Sequence, residues 1–112
     1  MVLTRYTIDG KGIFRTLQNM FNEVDMSVAD EQELFDAQEE FERDMSVPDI
    51  CTNKDVKTTC WFTEEGLAHF DYALDTLMWA TDMYLGKQIE KKCIEYTGTP
   101  LYLDEYQAVL AA

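Results

Sequence analysis

Positive charge is scarce in this chain. Nine lysines and arginines stand against 22 aspartates and glutamates, giving a formal net charge of −13 at pH 7. That imbalance excludes bare nucleic acid and anionic membranes as partners, because such a surface repels both, and it favours basic proteins. It also exceeds the magnitude of roughly 2–8 usual for a small domain, so self-repulsion works against the fold. Histidine is nearly missing, at one residue. Proline is held to two residues and glycine to five, which leaves no composition for a long flexible linker. No apolar run approaches the ~18 residues that span a bilayer, and the first residues, Met1-Val2-Leu3-Thr4-Arg5-Tyr6, lack the apolar core of a secretion signal. The three cysteines, Cys51, Cys60 and Cys93, have no CxxC spacing and no histidine cluster beside them. A reduced, cytoplasmic protein with core or half-buried thiols is the expectation.

What is present suffices for folding. The apolar fraction is 46% and the aromatic fraction 12%, which argues against intrinsic disorder despite the charge. At 112 residues the expectation is a single domain, 1–112, with one modest core.

Residues 2–9 are rich in β-branched and aromatic types and read as a strand, broken by Gly10-Lys11-Gly12. Ile13, Leu17, Met20, Phe21 and Val24 form a helical stripe. Ser27, with Asp30 three residues on, is a helix start. That second helix runs to about Met45 and turns Leu34, Ala37, Phe41 and Met45 inward. Ser46 and Pro48 predict a short helical turn near 47–52. Residues 55–62 alternate as a second strand, and Thr63 caps a long helix. Unbroken to Tyr96, that helix would measure about 50 Å at 1.5 Å per residue, more than the ~30 Å width of such a domain; Gly86 is the natural break. Asp104 reads as the cap of a last helix, 105–111. The fold class expected is α+β, mostly helical, with a short two-stranded sheet packed on one long and several shorter helices.

The acids are unevenly placed. Residues 23–49 hold eleven of them and a single base, Arg43. Asp30, Glu31, Glu33, Asp36, Glu39, Glu40, Glu42 and Asp44 surround the apolar stripe of the second helix. Eight carboxylates along about 21 Å is roughly one per 3 Å, close to the ~3.4 Å charge spacing of a nucleic-acid strand. A negative run on a helix is ordinarily a solvated face with mixed signs; here Glu39 and Arg43 are the only acid–base pair at the i,i+4 spacing. Trp79 and Tyr72 fall off the core stripe of the long helix, beside Asp71, Asp75 and Asp82, as candidates for a second contact patch.

Sites for catalysis or metal are not evident. His69 stands four residues after Glu65, two ligands without a third. Gly10-Lys11-Gly12 lacks a phosphate-loop pattern, and Asp25 to Asp30 lacks the glycine and glutamate of a calcium loop. No enzyme activity, cofactor or metal is expected.

This profile, with Asp30 to Asp44 as its local carrier, is similar in kind to the small acidic inhibitors encoded by phages and other mobile elements, many anti-CRISPR proteins and other DNA mimics among them. The resemblance implies a non-catalytic protein that binds the basic groove of a nucleic-acid-handling protein, such as a CRISPR or other defence nuclease, in the cytoplasm of a bacterial host, and blocks it. The partner-binding residues expected are the eight acids of the second helix with Asp75, Trp79 and Asp82. The alternative is a structural or assembly protein that self-associates through edge strands and exposed aromatics, a homodimer in the simplest case.

Overall fold

The computed structural model describes all 112 residues. The elements run β1 (Val2–Ile8), β2 (Lys11–Gly12), α1 (Ile13–Glu23), α2 (Val28–Asp44), α3 (Asp49–Thr52), β3 (Thr58–Phe62), α4 (Glu64–His69), α5 (Asp71–Leu85), β4 (Glu90–Glu95), β5 (Tyr102–Leu103) and β6 (Gln107–Ala111). The sheet has six strands in the order β2-β1-β3-β6-β5, with β4 paired to β1. This overturns the expected two-stranded sheet. β1 and β3 were readable in the sequence, but β2, β4, β5 and β6 were not.

Each miss has a local cause. Gln107 to Leu110 are all buried, so both faces of β6 are covered; in the sheet it lies between β3 and β5, with Cys60 opposite Val109 and Tyr102 also opposite Val109. A strand covered on both faces loses the alternation that marks one, and a short apolar run then resembles a helix. Asp104 is a cap, but of a turn: its Oδ1 accepts from the amides of Tyr106 and Gln107, both at 2.9 Å. The same carboxylate geometry serves a helix N-terminus and a β-turn. At Asp9-Gly10 both residues have positive φ, 52° and 78°. Such a two-residue loop folds Lys11–Gly12 back onto Thr7 and Ile8 as a hairpin.

The helices follow their start and stop signals more closely. The Asp30 amide donates to Ser27 Oγ, and the Gly66 amide to Thr63 Oγ1. The long helix is divided, with Phe70 between α4 and α5. α5 stops at Gly86, which takes the left-handed conformation (φ 62°) and donates its amide to the Asp82 carbonyl. Pro48 precedes α3 without a side-chain cap; Ser46, expected to cap there, hydrogen-bonds the Tyr102 hydroxyl at 3.1 Å instead.

The chain divides into two compact units, each discontinuous in sequence. One comprises residues 1–5, 45–69 and 92–112. Its core is Leu3, Trp61, Ala108 and Leu110, with Ile94 and Tyr96 packed against them. Gly66 lies so close to the Tyr106 carbonyl that a Cβ there would stand 2.1 Å from the oxygen. The other comprises residues 6–44 and 70–91 and contains α1, α2 and α5. Its buried side chains include Ile13, Leu17, Met20, Leu34, Phe41, Phe70, Leu74 and Leu77. Phe41 stands at the centre of an aromatic group, 5.0 Å from both Phe14 and Phe70 between ring centroids.

Candidate functional site

All eleven residues expected to bind a partner fall in the second unit, eight on α2 and three on α5, and these two helices pack on each other. Leu34, Ala37 and Phe41 are the buried side of α2. Glu31, Glu33, Asp36, Glu39 and Glu42 are exposed. None of these five has an ion-pair partner. Asp36 and Glu42 accept hydrogen bonds from Gln32 (2.9 Å) and Gln38 (3.1 Å), neutral donors that leave the charge in place.

The other three acids of α2 are placed differently. Asp30 precedes Leu34 by one turn, so it stands over the apolar side, and its half-buried carboxylate accepts from the Tyr84 hydroxyl of α5. Glu40 is half-buried. Asp44 is half-buried and bound by Arg43, Nε to Oδ1 at 3.1 Å and Nη2 to Oδ2 at 3.3 Å. That pairing raises the Arg43 guanidinium above its ordinary pKa, first through the hydrogen bond to Asp44 and then through its charge, with smaller contributions from Glu40 and Glu39. The expected Glu39–Arg43 pair is therefore replaced by a neighbour-to-neighbour pair, and Glu39 stays open.

On α5, Asp75, Asp82 and Trp79 are exposed. At about 100° per residue, Asp75 and Asp82 lie to one side of Trp79, while Tyr72 and Met83 lie to the other, all within an arc of about 100°. Tyr72 is 68% exposed, Met83 59% and Trp79 40%. The Trp79 ring meets Tyr84 edge-on at 6.4 Å, and Tyr84 is the residue bonded to Asp30. A chain of contacts thus runs from the aromatic patch of α5 to the first turn of α2. Sequence reasoning missed Met83 and Tyr84. It also missed Phe35, which is 47% exposed among the acids of α2 and meets Phe21 edge-on at 6.3 Å. The available signal was position: Met83 repeats Trp79 one turn on, and Phe35 lies off the Leu34–Phe41 stripe.

The remaining candidates have ordinary surroundings. His69 stacks on Tyr106 at 4.4 Å. No group of three His, Cys, Asp or Glu side chains is arranged to hold a metal ion. Lys87 pairs with Asp9, and that hydrogen bond and charge hold the Asp9 carboxyl below its usual range. Cys51 is half-buried, within the expectation, whereas Cys60 and Cys93 are exposed.

The chain matches no family model, no curated protein and no solved structure. No helix is long and apolar enough to cross a membrane.

Proposed function

We propose that the protein binds, without catalysis, a basic groove of a nucleic-acid-handling protein and inhibits it, as a nucleic-acid mimic of the anti-CRISPR kind. The observation that carries this reading is the set of five exposed α2 carboxylates, Glu31, Glu33, Asp36, Glu39 and Glu42, with no cation paired to any of them. Holding like charges together on one rigid helix raises the energy of the free protein, and a groove lined with Lys and Arg relieves that energy on binding. The α5 patch supplies what an acidic surface lacks. Trp79 and Tyr72 are the residue types that anchor interfaces, and Asp75 and Asp82 continue the same sign of charge beside them. The natural setting of such an inhibitor is the cytoplasm, that of the bacterial host if a phage encodes it.

Self-association is favoured less. β4 pairs only with β1 and carries Lys91, Lys92 and Glu95, charges that discourage edge-to-edge pairing, and β5 has only two residues.

The test is capture on immobilised protein from a bacterial lysate expressing defence nucleases, eluted with a salt gradient. The reading expects a basic nucleic-acid-binding protein that is retained at low salt and displaced by its own nucleic acid. Retention of no such protein, or retention indifferent to salt, contradicts it.

A further inference from the structure

Two of the three thiols meet in space. The Cys51 and Cys60 sulfurs are 3.9 Å apart, one in the last turn of α3 and the other in the middle of β3. The intervening segment brings them together. Asn53 Oδ1 accepts the Asp55 amide at 3.0 Å, and the Asn53 carbonyl accepts the Val56 amide at 3.2 Å. This Asx-type turn sends the chain back along itself. Cys93 stands apart, with its sulfur 3.4 Å from the Thr4 hydroxyl.

The geometry points to a modification site: Cys51 and Cys60 form a reversible intramolecular disulfide by exchange with a small-molecule or protein disulfide. The sulfurs must close from 3.9 Å to about 2.05 Å. α3 is a single turn with no side-chain cap, so little structure resists that movement. Neither residue is buried, Cys51 being half-buried and Cys60 exposed, which leaves the oxidant a way in.

The steps balance. The Cys51 thiolate attacks one sulfur of the oxidant, forming a mixed disulfide and releasing one thiolate of the oxidant. Cys60 then gives its proton to water and attacks the Cys51 sulfur. The new bond forms between Cys51 and Cys60, and the second oxidant thiolate leaves. Two protein thiols are oxidised, and one disulfide is reduced to two thiols. The order follows from the surroundings. Local desolvation first, and the neighbouring Cys51 second, push the Cys60 thiol up to about 11, so Cys60 keeps its proton near neutrality and serves as the resolving sulfur.

The experiment exposes the full chain to buffers of oxidised and reduced glutathione, quenches with acid, alkylates, and maps the peptides by mass spectrometry. The expected result is joint loss of Cys51 and Cys60 from alkylation, a crosslinked peptide pair, reversal by reductant, and no crosslink to Cys93. Formation should quicken as pH rises, because the attacking group in each step is a thiolate. Cys51→Ser and Cys60→Ser should each stop at a glutathione adduct on the remaining sulfur. Three outcomes overturn the assignment: adducts on both sulfurs without a crosslink, crosslinks to Cys93 as frequent as those between Cys51 and Cys60, or bridging as fast in denaturant as in the folded protein.

Discussion

The Tyr84 hydroxyl donates to the Asp30 carboxylate, fastening the last turns of α5 to the first turn of α2. The bond lies within the candidate surface, yet it separates two kinds of acid on one helix. Asp30 is engaged by the fold, whereas Glu31, Glu33, Asp36, Glu39 and Glu42 are not ion-paired.

Tyr84→Phe removes the donor and leaves a half-buried carboxylate without its partner. A stability loss of about 1–3 kcal/mol is expected in urea unfolding at pH 7. Asp30→Asn in the Tyr84→Phe background should then add little, because the two residues act as one pair. Full additivity of the two losses would show that the bond has no energetic weight.

Gly66→Ala places a methyl group against the Tyr106 carbonyl, where only movement of backbone makes room. The expected loss is about 2–3 kcal/mol or more. Gly12→Ala is the control, since a Cβ there meets nothing within 4 Å, and its effect should stay under about 1 kcal/mol. Equal effects of the two substitutions in thermal or urea unfolding would contradict the packing described at Gly66.

Asp104 predicts a pH dependence. Burial pushes its carboxyl up, but the Tyr102 hydroxyl, the Tyr106 and Gln107 amides and the Gln107 side chain outweigh burial and hold it below its usual value. A carboxyl with a lowered folded pKa stabilises the fold above its unfolded pKa of about 3.9, and that contribution fades as pH falls through the folded value. Stability measured from pH 6 to pH 2 should therefore decline less steeply in Asp104→Asn than in the parent, and the variant should be the less stable at pH 6. Parallel curves would count against this account of the β5–β6 turn.

Helices were more legible than strands in this sequence, for a physical reason. Ser27, Thr63 and Gly86 act through local backbone geometry, so their signals survive without knowledge of the fold. β6 owes its pairing to strands that precede it, β3 and β5, and nothing within Gln107–Ala111 announces them. β4, with the sequence Glu-Lys-Lys-Cys-Ile-Glu, extends a helical pattern until Gly86 is known to end it. For the candidate site, placement on α2 and α5 could be read from periodicity. The Tyr84–Asp30 bond, the Arg43–Asp44 pair and the exposure of Phe35 depend on which helix packs where.

Neutralising the exposed side of α2 should spare the fold. In Glu31→Gln, Glu33→Gln, Asp36→Asn and Glu39→Gln combined, no ion pair is lost and like-charge repulsion falls, so the midpoint of urea unfolding should hold or rise. A fall of more than about 1 kcal/mol would mean that these carboxylates serve the fold itself.

The most direct measurement compares that fourfold variant with the parent for binding to a captured basic nuclease, at low and at physiological salt. The account predicts a loss of affinity of at least about a hundredfold, and a much flatter salt dependence for the variant. Unchanged affinity, with the same response to salt in both proteins, would contradict the claim that the outer side of α2 is the binding surface.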